Sequence, residues 1–126
     1  MARTLARPQP AVEGAVVTKA VLRAAGRLEL SNRVLARVLG VSEATVSRMG
    51  SGTYILARDD KSFELALLFL RLFRSLDAIV SGDEAAARAW LTHDHAVLGG
   101  APVMLMQSLA GLVNVVAYLD ARRALV

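Results

Sequence analysis

Few side chains in this sequence could perform covalent chemistry, and they are scattered. It has no cysteine, which excludes a disulfide framework, a thiolate nucleophile and a Cys-type zinc site. The two histidines stand two apart in His93-Asp94-His95. Two imidazoles in one loop do not complete a metal's coordination shell, and surface or interface polarity accounts for them better. No Ser/His/Asp constellation, paired carboxylates or Gly-rich phosphate loop stands out, so neither an enzyme nor a cofactor is expected. The chemistry these residues suit is recognition. Glu43, Ala44, Thr45, Ser47 and Arg48 are the outward positions of one short helix. The Arg48 guanidinium can bond two acceptors at once, on a guanine edge or a phosphate. Thr45 and Ser47 offer hydroxyls to bases or phosphates. Glu43 can accept from a cytosine amino group, although a carboxylate there also suits the positive end of a helix dipole. Arg33 and Arg37, four apart, are spaced to meet backbone phosphates from a neighbouring helix.

The element that must position them is residues 32–51, NRVLARVLGVSEATVSRMGS, which have the pattern of a helix-turn-helix. Leu35, Leu39, Val46 and Met49 would interlock two helices, and Ala36 is small enough to let them cross closely. Gly40 suits the left-handed conformation that ends the first helix. Val41 plugs the turn, and the Ser42 hydroxyl can cap the second helix. Such a motif places the N-terminal part of its second helix in the DNA major groove. One copy gives weak specificity, so a homodimer on a palindromic operator is implied.

Charge divides along the chain in the same sense. Residues 1–58 hold nine Lys/Arg against three Asp/Glu, or +6, and residues 59–126 hold six against eight, or −2. A basic first half fits a phosphate-facing surface, although charge alone would equally fit ordinary surface clustering. The length of 126 residues suits one domain with a real core. Absence of cysteine and of an apolar leader in MARTLARPQPAVEG predicts a cytoplasmic protein. No residue from Ala96 to Leu119 is charged, but Gly99-Gly100-Ala101-Pro102, Gln107, Ser108 and Asn114 interrupt that run. The pieces are too short for a bilayer of about 30 Å, so no membrane span is expected.

Helical periodicity accounts for the whole chain, and no alternating strand pattern occurs. Residues 1–10 read as a flexible arm in which Arg3 and Arg7 could touch DNA, though a solvated tail is the simpler reading. Residues 11–60 form the helix-turn-helix region and 61–126 a helical dimerisation and partner-binding region. A first helix spans 11–25 with an apolar face of Val12, Ala15, Val16, Ala20 and Leu22, and Gly26 stops it. Ser31 caps a helix over 32–39, and the recognition helix covers 43–51. A connector over 53–60 leads to the longest helix, from Ser62 to about Val80. Leu65, Leu68, Phe69, Leu72, Phe73, Leu76 and Ile79 form its apolar stripe, with Phe63, Leu67 and Leu70 on another side. Its polar face, Glu64, Arg71, Arg74 and Ser75, is narrow, as in a helix central to the core or shared with a second subunit. Ser81-Gly82-Asp83 breaks the chain before a helix over 83–92. HDHAVLGGAP is a loop, Pro102 opens a short helix to about Gln107, and Ser108 caps a final helix to about Leu125.

The second half carries a resemblance. Leu70-Arg71, Trp90-Leu91, Leu98-x-Gly100-x-x-Pro102, Ser108-x-x-Gly111, Val115 and Tyr118-Leu119 stand in the order and spacing of the C-terminal toxin-binding domain of Xre/ParS/MbcA antitoxins. With the helix-turn-helix, the resemblance covers about residues 17–121. Structural roles suit these marks too: Trp90 to anchor its helix in the core, Gly100 to permit a tight turn, Pro102 to preset the next helix, and Gly111 to allow close helix approach. The resemblance implies an all-α fold, an N-terminal Xre/Cro-like helix-turn-helix bundle followed by a helical toxin-binding domain. It implies a partner toxin with a RES domain, similar to ADP-ribosyltransferases, that consumes NAD. It further implies an antitoxin that covers the toxin's NAD cleft and represses its own operon. By resemblance His93, His95, Gly99, Gly100, Arg122, Arg123 and Val126 would face the toxin, and deleting residues 119–126 should impair neutralisation more than operator binding. Cations at the end of the last helix also complement its dipole. Asp94-His95 replaces the Pro-Asn of many relatives, and the tail lacks their Gly-aromatic ending. The alternative reading is a stand-alone repressor whose second half dimerises it or senses a ligand.

Overall fold

A computed structural model describes the backbone of residues 10–125. Of the arm expected over residues 1–10, residues 1–9 lie outside the described residues, as does the terminal Val126, while Pro10 already begins the first helix. Among the described residues seven helices follow one another: α1 (Pro10–Arg27), α2 (Asn32–Leu39), α3 (Glu43–Ser51), α4 (Lys61–Ile79), α5 (Glu84–Thr92), α6 (Pro102–Leu105) and α7 (Leu109–Arg123). The described residues hold no strand, only an isolated antiparallel bridge between His95 and Gly100. The fold is all-α, as the periodicity implied.

Capping hydroxyls and left-handed residues set the helix ends. Ser31, Ser42 and Ser108 each accept a hydrogen bond from the backbone N–H three residues on, at 3.1 Å, as an N-cap serine should. Asp83 caps α5 in the same way, accepting from the Ala86 N–H at 3.1 Å. Gly40 ends α2 at φ 70°, and the Val41 N–H then reaches back to the Ala36 carbonyl at 2.9 Å.

The first helix departs from expectation. Val12, Ala15 and Val16 are exposed, and the face that enters the core is Val21, Ala24, Ala25 and Leu28. Ala20 and Leu22 of the expected face do pack half-buried against the core, whereas the apolar residues near the N-terminus belong to another surface, so one periodic face does not describe the whole helix. Gly26 does not stop α1. The helix runs on to Arg27, and Glu29 makes the turn at φ 55°. There the Leu30 N–H bonds the Ala25 carbonyl at 2.9 Å.

Gly14 and Thr18 have a role that periodicity does not reveal. A Cβ on Gly14 would collide with the Leu56 carbonyl. The buried Thr18 hydroxyl donates to the Gly14 carbonyl at 2.7 Å and accepts from the Leu56 N–H at 2.9 Å. The connector after α3 is thereby pinned to α1, beyond the left-handed Gly52 that ends the recognition helix.

α4 is the shared spine. It packs against α1 and α2 on one side and against α5 and α7 on the other. Phe69, Leu72 and Leu76 join Leu35, Leu39, Leu112, Val115 and Leu119 in one buried core. Leu67, by contrast, is exposed. Ser75 does not lie on the polar face. It is fully buried and donates to Asp120 Oδ1 on α7 at 2.8 Å. Asp120 also accepts from Arg71 Nη2 at 2.6 Å, so the α4–α7 contact holds a satisfied polar group within an otherwise apolar seam.

Candidate nucleic-acid and partner interfaces

α2 and α3 cross as the helix-turn-helix pattern requires. Leu35, Leu39, Val46 and Met49 are buried between them, Ala36 is buried at the crossing, and Val41 packs half-buried in the turn. Arg33 and Arg37 lie exposed on α2, and Ser47 and Arg48 exposed on α3. Arg33, Arg37 and Glu43 line one open polar concavity of about 350 Å³ with Ala36 and Val41. Arg37 Nη1 also donates to Gln107 Oε1 at 3.5 Å, a long contact that leaves the guanidinium free to turn outward.

Thr45 differs from a free donor. It is half-buried, its Oγ1 lies 2.9 Å from Ser42 Oγ, and it accepts from Arg48 Nη2 at 3.2 Å. The capping hydroxyl, Thr45 and Arg48 thus form one chain along the start of α3. Thr45 holds the guanidinium in place instead of presenting an unoccupied hydroxyl, and its sequence position alone could not reveal this.

The second set of residues gathers at the far end of α7. The Trp90 ring lies 4.9 Å from the His95 ring and 6.2 Å from that of Tyr118, nearly parallel to the latter at 17°. His93 stands edge-on to His95 at 6.0 Å. The Arg122 guanidinium sits 5.6 Å from the centre of the Tyr118 ring, within cation–π range. His93, His95, Trp90, Tyr118 and Arg122 therefore form one continuous row joining the end of α5, the 93–101 loop and the last turns of α7. Trp90 packs half-buried against the rim of the core, and the most deeply buried position of α5 is its neighbour Leu91. His95 Nε2 lies 3.0 Å from the Trp90 carbonyl, so its ring is held, whereas His93 is exposed. Arg123 is exposed beyond the row.

Gly99, not Gly100, takes the left-handed conformation, at φ 83°. The His95 carbonyl collects the N–H groups of Leu98, Gly99 and Gly100 at 3.1, 2.9 and 3.3 Å, and the His95 N–H donates to the Gly100 carbonyl at 3.1 Å. The loop closes tightly one residue before the expected position. Gly111 keeps its expected role, since a Cβ there would collide with the Leu105 carbonyl. No group of three His, Cys, Asp or Glu able to hold a metal occurs among the described residues. No described helix is long and apolar enough to cross a membrane.

Two further features escape the sequence. Arg88 on α5 donates through Nη1 to the Arg27 carbonyl at 3.2 Å and pairs through Nε with Glu29 at 3.4 Å, so α5 grips the turn between α1 and α2. On the opposite side of α1, Val12, Val16 and Val17 join Phe63 and Leu67 in an apolar groove of about 440 Å³. The Glu13–Arg58 ion pair, at 3.3 Å, stands beside it.

Comparison with known families covers nearly the whole chain. Residues 7–71 match the antitoxin Xre-like helix-turn-helix domain, and residues 75–124 match the antitoxin Xre/MbcA/ParS C-terminal toxin-binding domain. No curated protein matches the chain.

Proposed function

The chain belongs to the antitoxins built on an Xre-like helix-turn-helix domain followed by a toxin-binding domain, and from that premise we propose that its partner is a NAD-consuming toxin with a RES domain. In this reading residues 61–126 cover the toxin's NAD cleft, while residues 11–60, acting as a homodimer, bind operator DNA and repress the operon. The succession of the two matched domains along one chain is the observation that carries it.

The geometry supports each part. Arg33, Arg37, Ser47 and Arg48 are exposed around the two helices of the motif, with Thr45 holding Arg48. The row from His93 to Arg122 offers planar rings and a cation on one surface, chemistry that suits the rim of a cleft made for an anionic dinucleotide. Arg123, Gly99 and Gly100 flank that surface in sequence. The apolar groove at Val12, Val16 and Leu67 suits a second copy of the chain, because an isologous interface needs a face that can meet itself.

Co-expression with the adjoining reading frame tests the proposal. The neighbour alone should arrest growth and deplete cellular NAD, and this chain should restore both and co-purify with it. A harmless neighbour, or one that arrests growth at constant NAD, would overturn the assignment of the toxin.

A further inference from the structure

α7 is apolar on both sides. Leu112, Val115, Val116 and Leu119 are buried in the core. The opposite side shows Leu109, Ala110, Val113, Asn114, Ala117 and Ala121, all exposed. Leu109 is 57 % exposed and Val113 45 %, and Met104 on the adjacent α6 is 63 % exposed. None of the residues from Ala96 to Leu119 is charged. The other long helices mix charge into the faces that meet water: α1 exposes Lys19 and Arg23 beside Val12 and Val16, and α4 exposes Glu64, Arg71 and Arg74 beside Leu67. Apart from Asn114 this outer face is apolar as far as Ala121, and it is rimmed by Ser108, Asp120, Arg122 and Arg123; an exposed apolar face with a polar rim marks an interaction surface. Helix propensity does not explain the choice, since Glu or Lys would serve α7 better than Val113.

Resting on the antitoxin reading, we infer that the outer side of α7 is the seat of the toxin, with Leu109 and Val113, one turn apart, as its anchors. Met104 extends that surface, and Ala117 and Ala121 let a partner backbone approach closely. This is the helix-in-groove mode, in which a helix lays an apolar face into a hydrophobic groove of its partner. The toxin is favoured over a second copy because the whole face lies inside the segment matched as toxin-binding. The edge of that face is also continuous with the aromatic row, through Tyr118 and Arg122 on the same helix. The other edge is closed by Asp120, bound to Ser75 and Arg71.

The test measures binding of the full chain to the purified product of the adjoining reading frame. Leu109→Glu places a carboxylate in the first turn after the Ser108 cap, where the dipole favours it, and Val113→Glu raises helix propensity. Each should weaken binding by about tenfold or more, with melting temperature and operator binding unchanged. The uncharged pair Leu109→Gln with Val113→Thr should fall between, and Lys19→Glu on α1 should leave toxin binding unchanged. Unaltered toxin affinity in the doubly charged variant overturns the inference. So does conversion of a toxin-free dimer to monomers by that variant, which would give the face to a second copy. If the unaltered chain fails to bind the product, the antitoxin reading falls with the inference, an outcome distinct from the other two.

Discussion

The indole of Trp90 and the phenol ring of Tyr118 lie nearly parallel, 17° apart in plane with centroids separated by 6.2 Å. This single contact ties the end of α5 to the last turns of α7 and gathers His95 and Arg122 onto the same surface. Aromatic pairs contribute about 0.5–1.5 kcal/mol beyond their area burial. Trp90→Leu or Tyr118→Leu should each lower unfolding free energy, and a double-mutant cycle by urea denaturation should return a coupling within that range. Zero coupling would mean that the rings merely lie near each other. Trp90→Leu should also weaken toxin binding more than operator binding, because it removes the ring that lies between His95 and Tyr118.

Arg48 is held before DNA arrives. Its Nη2 donates to Thr45 Oγ1, which in turn touches the Ser42 cap. Arg48→Ala should reduce operator preference by about 1–3 kcal/mol, the size of a well-placed base contact, while leaving stability within about 0.5 kcal/mol as an exposed site. Thr45→Val keeps the shape and removes the hydroxyl, so it should reduce operator affinity less than Arg48→Ala does. Fluorescence anisotropy at one fixed salt concentration, with operator and scrambled DNA, reads both. Equal loss on the two DNAs for Arg48→Ala would reassign it to phosphate contact.

The helix-turn-helix was legible because nearly every position in it has one local reason. Ser31, Gly40 and Ser42 act on the backbone within a few residues of themselves, and Leu35, Leu39, Val46 and Met49 pack within the motif. What sequence reasoning missed depends on distant partners. Thr18 is read by Leu56, Ser75 by Asp120, and Arg88 by the Glu29 turn. Val12 and Val16 misled in the same way. They are apolar at helical spacing yet belong to an outer groove with Leu67 on α4, and periodicity cannot tell a core face from a surface face. Of the predicted C-terminal residues, His93, His95 and Arg122 are drawn together only by Trp90 and Tyr118, which lie 28 positions apart in the numbering.

Asp120 shows why truncation is a poor probe of this half. Removing residues 119–126 would take away the buried Leu119 and the acceptor of the buried Ser75 hydroxyl. Such a deletion would therefore weaken the fold along with neutralisation. Asp120→Asn keeps an acceptor for Ser75 and should cost less than about 1 kcal/mol, since the exposed Arg71 pair contributes little. Asp120→Ala leaves the hydroxyl unsatisfied and should cost about 1–3 kcal/mol. Chemical denaturation separates the two, and equal costs would place the energy in the ion pair. Arg122→Ala and Arg123→Ala, both exposed, are the cleaner probes of toxin contact.

In the proposed homodimer, the apolar groove on α1 and α4 is the face that would join two copies on a palindromic site. Val12, Val16 and Leu67 are exposed there, with Glu13 and Arg58 alongside, an arrangement that can meet its own copy across a two-fold axis. Val16→Glu with Leu67→Glu should leave helicity intact, because both positions already face solvent and Glu is a good helix former. The pair of charges should turn dimers into monomers in sedimentation experiments. Operator affinity should fall at least as far, since each monomer then holds only one half-site. Binding to the toxin should persist. A dimer that survives both substitutions would remove this groove from the assembly and leave another face to join the two recognition helices.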